Sequence, residues 1–96
     1  MRATWIGSGA VLLALAACDV PPEGTTPEDI ARFEAAAATI GCDMVTEADY
    51  LPVELQAGMT REQSQDIVGF LLRTDRAVRL EGGGARITSG PCAPTA

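Results

Sequence analysis

The chain has 96 residues, with 13 acidic and 7 basic side chains, three cysteines and no histidine, and its formal net charge is −6. This length accommodates one small domain. The absence of histidine removes the usual general base, the commonest metal ligand and every catalytic triad built on imidazole. The acidic balance argues against nucleic-acid binding, which needs cationic side chains to neutralise phosphates.

The first 17 residues have the pattern of an export signal. Arg2 precedes an apolar run from Trp5 to Ala17, which is shorter than the roughly 20 residues of a transmembrane helix. The run ends in Leu15-Ala16-Ala17-Cys18, which resembles the lipobox of bacterial lipoproteins. This resemblance implies that the Cys18 thiol receives a diacylglyceryl group through a thioether, and that lipoprotein signal peptidase cleaves between Ala17 and Cys18. The alternatives are a secretory signal with a chance cysteine and a cytosolic chain.

Residues 18–27 are predicted to form the lipid anchor and a flexible linker, because the stretch after Cys18 is rich in Pro, Gly and Thr. Two or three acyl chains on Cys18 would hold the chain in the bilayer, on the periplasmic side. Asp19 resembles the retention signal of enteric lipoproteins, which favours the inner membrane over the outer. Removal of residues 1–17 would leave 79 residues, with 13 acidic and 6 basic side chains.

The other two cysteines, Cys42 and Cys92, form an even pair in an exported chain, which predicts a disulfide bond. In the chain-entropy model this bond stabilises the fold by about 4 kcal/mol, because it closes a loop of about 50 residues. A redox pair or a metal site is the alternative. The spacing differs from C-x-x-C, and no histidine or third thiol remains to complete a metal site. We therefore expect no metal and no cofactor.

Residues 28–96 are predicted to form one small globular domain. Thr26 and Pro27 are typical of a helix start, and Ile30, Phe33, Ala37 and Ile40 form an apolar stripe. This pattern predicts a first helix over 28–40. A very short strand at 44–45 is followed by a second helical segment, where Pro52 leaves two possibilities. One is a short kinked helix over 47–57, and the other is a turn followed by a helix over 53–57.

A third helix and a β-hairpin complete the predicted domain. Thr60 and Gln63 form the two ends of a capping box, and the helix that follows is expected to end near Thr74 or Asp75. The apolar stripe of this helix makes it the most deeply buried one. Three glycines then separate two stretches of alternating residues, which predicts a hairpin. Its apolar face is expected to consist of Val78, Leu80, Ala85 and Ile87.

The predicted fold class is therefore α+β and mainly helical, with three helices followed by a β-hairpin wing and one disulfide. This order resembles a winged-helix plan, which implies DNA binding by the third helix. The acidic residues Glu62 and Asp66 on that helix argue against contact with phosphates. A cytosolic winged-helix regulator therefore ranks as a weak alternative, and no nucleic-acid partner is expected.

Two groups of charged residues are candidates for a function. Asp43, Glu47 and Asp49 cluster in the sequence and could act as acid and base in an envelope hydrolase or bind Ca²⁺. The simpler interpretation is a group of acids at a helix start. The second group holds four of the six arginines that follow residue 17, and it could contact an acidic partner or anionic lipid. It consists of Arg73, Arg76, Arg79 and Arg86. The simpler interpretation is that these arginines pair with Asp75 and Glu81.

The sequence contains no recognisable catalytic set, so the predicted function is that of a binding protein and not an enzyme. We expect a small, non-catalytic, membrane-anchored lipoprotein of the bacterial envelope. Its partners would be the bilayer, through Cys18, and another envelope protein, for which it would act as an accessory or assembly subunit. The envelope hydrolase that uses Asp43, Glu47 or Asp49 is the main alternative.

Overall fold

A computed structural model describes residues 20–95. It confirms an α+β, mainly helical, winged-helix-like domain. A single turn of 3-10 helix near the end of the chain carries Cys92. The elements in chain order are α1 (Pro27–Ala38), β1 (Asp43–Met44), α2 (Glu47–Ala57), α3 (Arg61–Arg73), β2 (Ala77–Arg79), β3 (Ala85–Ile87) and the 3-10 turn (Gly90–Cys92).

Helix α1 begins as the sequence predicts. The Thr26 hydroxyl accepts a hydrogen bond from the Asp29 N–H (3.1 Å), and the Asp29 carboxylate accepts one from the Thr26 N–H (3.0 Å). These two bonds satisfy N–H groups that have no partner within the helix. The helix ends at Ala38, two residues before the predicted end. Ile40 lies in the following turn and still packs against the core.

Helix α2 resolves the question that Pro52 raised. It is a single helix from Glu47 to Ala57, with Pro52 in its interior. Proline lacks an N–H, so the helix lacks one hydrogen bond at this position. Helix α3 follows after a short turn at Gly58 and Met59. Thr60 and Gln63 form the predicted capping box at its start, and the helix ends at Arg73.

The sheet has three strands instead of the two expected for the wing. Its order is β1-β3-β2, and both pairs are antiparallel. The extra strand β1 lies one residue earlier than the predicted 44–45 strand, and Asp43 pairs with Arg86 across it. This pairing joins residues more than 40 positions apart, so no local sequence pattern indicates it.

The register of the hairpin differs from the prediction by one residue on β2. Ala77 lies opposite Ile87 and is buried, whereas Val78 lies opposite Arg86 and is 50% exposed. The predicted inward position of Val78 was therefore wrong, those of Ala85 and Ile87 were correct, and Leu80 is half-buried. A shift of one residue moves every side chain of a strand to the other face.

The core lies between the three helices and the inner face of the sheet. Its large, fully buried side chains come from all the layers; they are Phe33, Met44, Val53, Ile67, Leu71 and Ile87. Two polar residues are also buried, Glu34 on α1 and Ser64 on α3. Between residues 20 and 95, no helix combines the length and the hydropathy needed to cross a membrane.

Candidate functional site

The predicted lipidation and cleavage site at Ala17 and Cys18, with Asp19, lies outside the described residues. The segment that follows turns back onto the domain. Pro21 and Pro22 are half-buried, whereas Val20 is 63% exposed. The Thr25 N–H donates a hydrogen bond to the Pro22 carbonyl oxygen (3.0 Å), which forms a turn.

The predicted disulfide bond is present between Cys42 and Cys92. Their Cα atoms are 5.8 Å apart, within the usual range for such a bond. Cys42 directly precedes β1, and Cys92 lies in the 3-10 turn beside α1. The bond therefore ties the end of the domain to the β1 edge of the sheet.

Two carboxylates of the acidic group are bound to arginines. We call Asp43, Glu47 and Asp49 the acid cluster. Asp43 forms a bidentate pair with Arg86, with Nε–Oδ1 and Nη2–Oδ2 distances of 2.7 and 3.1 Å. Glu47 forms another with Arg61, at 2.7 and 3.0 Å. Arg61 also pairs with Glu54 and lies over the Tyr50 ring. Arg61 therefore connects the two ends of α2 to the start of α3.

The third carboxylate of the acid cluster caps a helix. Asp49 accepts hydrogen bonds from the N–H groups of Val45 and Thr46, both at 3.0 Å. These two bonds are the main reason why the pKa of Asp49 lies below its usual value. Hydrogen bonds from Arg86 and Arg61 likewise lower the pKa values of Asp43 and Glu47.

The pKa values of its three carboxyl groups determine which chemistry the acid cluster can perform. A general acid needs a carboxyl group whose pKa is raised towards neutrality, whereas all three are lowered. Residues 20–95 also contain no group of three or more His, Cys, Asp or Glu side chains that could hold a metal ion. In the described structure, the hydrogen bonds of the acid cluster join β1 to β3 and α2 to α3, and they cap the start of α2.

A buried carboxylate that the sequence did not indicate holds one of the four candidate arginines. The Glu34 side chain is 7% exposed and pairs with Arg76 at 2.9 Å. Ser89 donates a second hydrogen bond to the same carboxylate. Glu34 lies on the inner side of α1, and both partners are more than 40 residues away. Arg76 also lies over the Phe70 ring, at 5.8 Å.

The four candidate arginines therefore fall into two pairs. Arg76 and Arg86 form ion pairs within the fold, but their partners are Glu34 and Asp43. We expected Asp75 and Glu81, neither of which forms an ion pair within residues 20–95. Arg73 and Arg79 are exposed, and no carboxylate of the described residues lies within 4 Å of their guanidinium groups.

Arg73 and Arg79 line the same open groove, of about 570 Å³, between the second half of α3 and β2. Its other lining residues are small or apolar, and Val78 contributes an exposed apolar side chain. We call this feature the arginine groove; its residues are Gly69, Leu72, Arg73, Ala77, Val78 and Arg79. It combines positive charge with an apolar surface, which is a common composition for a site that binds another chain.

Gly69 is a member of the groove that the sequence could have revealed. It lies inside α3, where glycine costs about 1 kcal/mol relative to alanine. An added Cβ at Gly69 would make only an ordinary contact of 3.6 Å with Arg73, so the fold does not require glycine here.

Comparison of the chain with protein-family models, with curated proteins and with solved structures finds no match.

Proposed function

We propose that this protein is a membrane-anchored lipoprotein of the bacterial envelope, whose domain binds another envelope protein as a non-catalytic accessory subunit. The observation that carries the binding part is the arginine groove. The other four arginines of the domain are Arg32, Arg61, Arg76 and Arg86, and each is held by a carboxylate. Arg73 and Arg79 have no carboxylate partner among residues 20–95, and both line one groove of an acidic protein.

The anchoring part of the proposal depends on the lipobox pattern that ends in Cys18. The disulfide between Cys42 and Cys92 supports an exported location, because such bonds persist in oxidising compartments. The inner membrane is favoured through Asp19. The first described residues, which turn onto the domain at Pro22 and Thr25, would keep the domain close to the bilayer.

The winged-helix-like fold does not by itself favour DNA binding. Helix α3 would be the recognition helix, and its exposed residues include Glu62 and Asp66. These carboxylates would face the phosphates of DNA, which carry the same charge. The arginine groove lies at the other end of α3, where it meets the sheet.

Labelling of cells with a palmitate analogue tests the anchor. The parent chain should incorporate the label and fractionate with membranes, and Cys18→Ala should abolish both. A matched control is Cys42→Ala with Cys92→Ala, which removes the other two cysteines and should leave the labelling intact. A soluble parent chain that retains Met1 would contradict the proposal.

Crosslinking in intact cells tests the binding part. A photoreactive amino acid at Val78, in the groove, should give one stoichiometric adduct with another envelope protein. The same group at Leu55, which is 83% exposed on α2, serves as the control position and should give none. The absence of an adduct from Val78 would count against a protein partner at the groove.

A further inference from the structure

We propose that the arginine groove binds an extended acidic segment of the partner, which adds to the sheet as a fourth strand beside β2. This inference rests on the proposed binding function and specifies its mode. Strand β2 is at one edge of the sheet, because the strand order is β1-β3-β2. An edge strand presents backbone groups that can pair with another chain.

The hydrogen-bond pattern identifies the free backbone groups. The Thr88 N–H donates to Arg76 O, and the Leu80 N–H donates to Gly84 O. Val78 lies between these bonds and opposite Arg86. In an antiparallel pair, residues alternate between those that bond to the partner strand and those that point away from it. The N–H and C=O groups of Ala77 and Arg79 therefore point to the open edge of β2.

Charge and polarity specify the side chains of the incoming strand. Arg73 on α3 and Arg79 on β2 both line the groove, and Arg79 lies on the same face of β2 as the buried Ala77, the face towards the helices. Successive side chains of a strand alternate between its two faces. Acidic residues at alternate positions would face the arginines, and apolar residues between them would lie on the face of Val78. The geometry thus favours a segment of the pattern acidic, apolar, acidic.

Anionic lipid headgroups could also bind two arginines, but they leave the open edge of β2 unexplained. A headgroup bears phosphate and ester oxygens and cannot continue a β-sheet. An extended peptide satisfies the backbone groups and the guanidinium groups together. The observations therefore favour a peptide, and lipid binding becomes an outcome of the test.

Selection from a displayed library of random decapeptides tests this inference on the full chain in detergent micelles. The enriched peptides should carry Asp or Glu at alternate positions. A synthetic copy of the best peptide should lose about tenfold or more in affinity for Arg73→Gln with Arg79→Gln. Arg32→Gln is the control. The Arg32 guanidinium pairs with Asp29 on α1, so this variant should bind the peptide with parental affinity.

A second form of the peptide tests the strand. Methyl groups on alternate backbone nitrogens, on the edge facing β2, should abolish binding, whereas methyl groups on the other nitrogens should not. Equal effects of the two patterns would overturn strand addition. Enrichment of peptides without acidic residues, or no enrichment, would overturn the whole inference.

Binding of anionic lipid by the groove is tested separately. If vesicles containing phosphatidylglycerol bind the parent better than Arg73→Gln with Arg79→Gln, and no peptide is enriched, the groove binds lipid and the inference is wrong. Failure of the inference is distinguishable from failure of the proposed function. If the chain is lipidated on Cys18 and crosslinks to one partner through another surface, the proposed function stands and strand addition at β2 is wrong.

Discussion

The acid cluster and the arginine groove lie at opposite edges of one small sheet and use their charges differently. In the acid cluster, an arginine or backbone N–H groups hold each carboxylate. In the groove, Arg73 and Arg79 have no carboxylate partner within the described residues. The carboxylates of the first region are thus engaged within the fold, whereas no carboxylate of the described residues engages the two guanidinium groups of the second.

The largest expected effect of a substitution concerns the disulfide on the acid-cluster side. Cys42→Ser with Cys92→Ser should lower the free energy of unfolding by about 4 kcal/mol, because the unfolded chain regains the freedom of a loop of 50 residues. Urea denaturation measures the loss. Dithiothreitol should destabilise the parent to the same extent and leave the double variant unchanged. An equal midpoint with and without the reductant in the parent would contradict this prediction.

The turn between β2 and β3 gives the next largest effect. Gly84 has a φ of +82°, and an added Cβ would lie 2.8 Å from the Met44 carbonyl oxygen. Gly84→Ala should therefore cost about 1–3 kcal/mol, and part of the loss should come from the displacement of β1. Gly83→Ala is the control, since Gly83 also has a positive φ but no atom within 4 Å of the added Cβ. Equal urea midpoints for the two variants would exclude a contribution from the contact with β1.

The pH dependence of stability distinguishes the two regions directly. The pKa values of Asp29, Asp43, Glu47 and Asp49 are lowered in the folded chain by hydrogen bonds to backbone N–H groups or arginines. Their stabilisation is present above the unfolded pKa values, at about pH 4, and is lost as the pH falls through the folded values. Urea midpoints should therefore be level from pH 7 to pH 5 and fall below about pH 4.

Two variants test which carboxyl groups cause the loss of stability at low pH. Asp49→Asn should weaken the dependence below pH 4, because it removes one of the lowered carboxyl groups. Glu62→Gln is the control; Glu62 is exposed on α3 and forms no ion pair among residues 20–95, so its profile should match that of the parent. A parent midpoint that stays constant from pH 7 to pH 2 would mean that the acid cluster does not stabilise the fold.

The smallest effect on stability should have the opposite sign. Gly69→Ala should raise the free energy of unfolding by up to about 1 kcal/mol, because alanine favours the helix and the added Cβ meets only Arg73, at 3.6 Å. Gly58→Ala should lower it, since Gly58 ends α2 in the left-handed conformation. If Gly69→Ala destabilises the domain, the fold itself requires the glycine, and its presence in the groove needs no binding partner to explain it.

The sequence predicted the local features of this fold well. Thr26 and Thr60 begin their helices as expected, since a capping box is complete within four residues. The disulfide between Cys42 and Cys92 was also predicted, because only one even pair remains after Cys18 is assigned to lipid. The predicted interior position of Val78 was wrong, because the turn after Leu80 sets the register.

The features that sequence reasoning missed depend on distant residues. The ion pairs of Arg76 and Arg86 join positions 42 and 43 residues apart, so local spacing favoured Asp75 and Glu81 instead. The burial of Glu34 also depends on residues that are distant in the sequence, namely Arg76, Ser89 and Gly90. The candidate arginines could be named from the sequence. Their separation into two paired and two exposed residues required the tertiary structure.

The most direct test of this account is the affinity of the selected acidic peptide, measured by fluorescence anisotropy, for two double variants. Arg73→Gln with Arg79→Gln changes the groove, and Arg61→Gln with Arg86→Gln changes the arginines of the acid cluster. Both lose two positive charges, so any effect of net charge is the same. We predict a loss of about tenfold or more for the first variant and parental affinity for the second. Equal losses for the two variants, or none for the first, would contradict it.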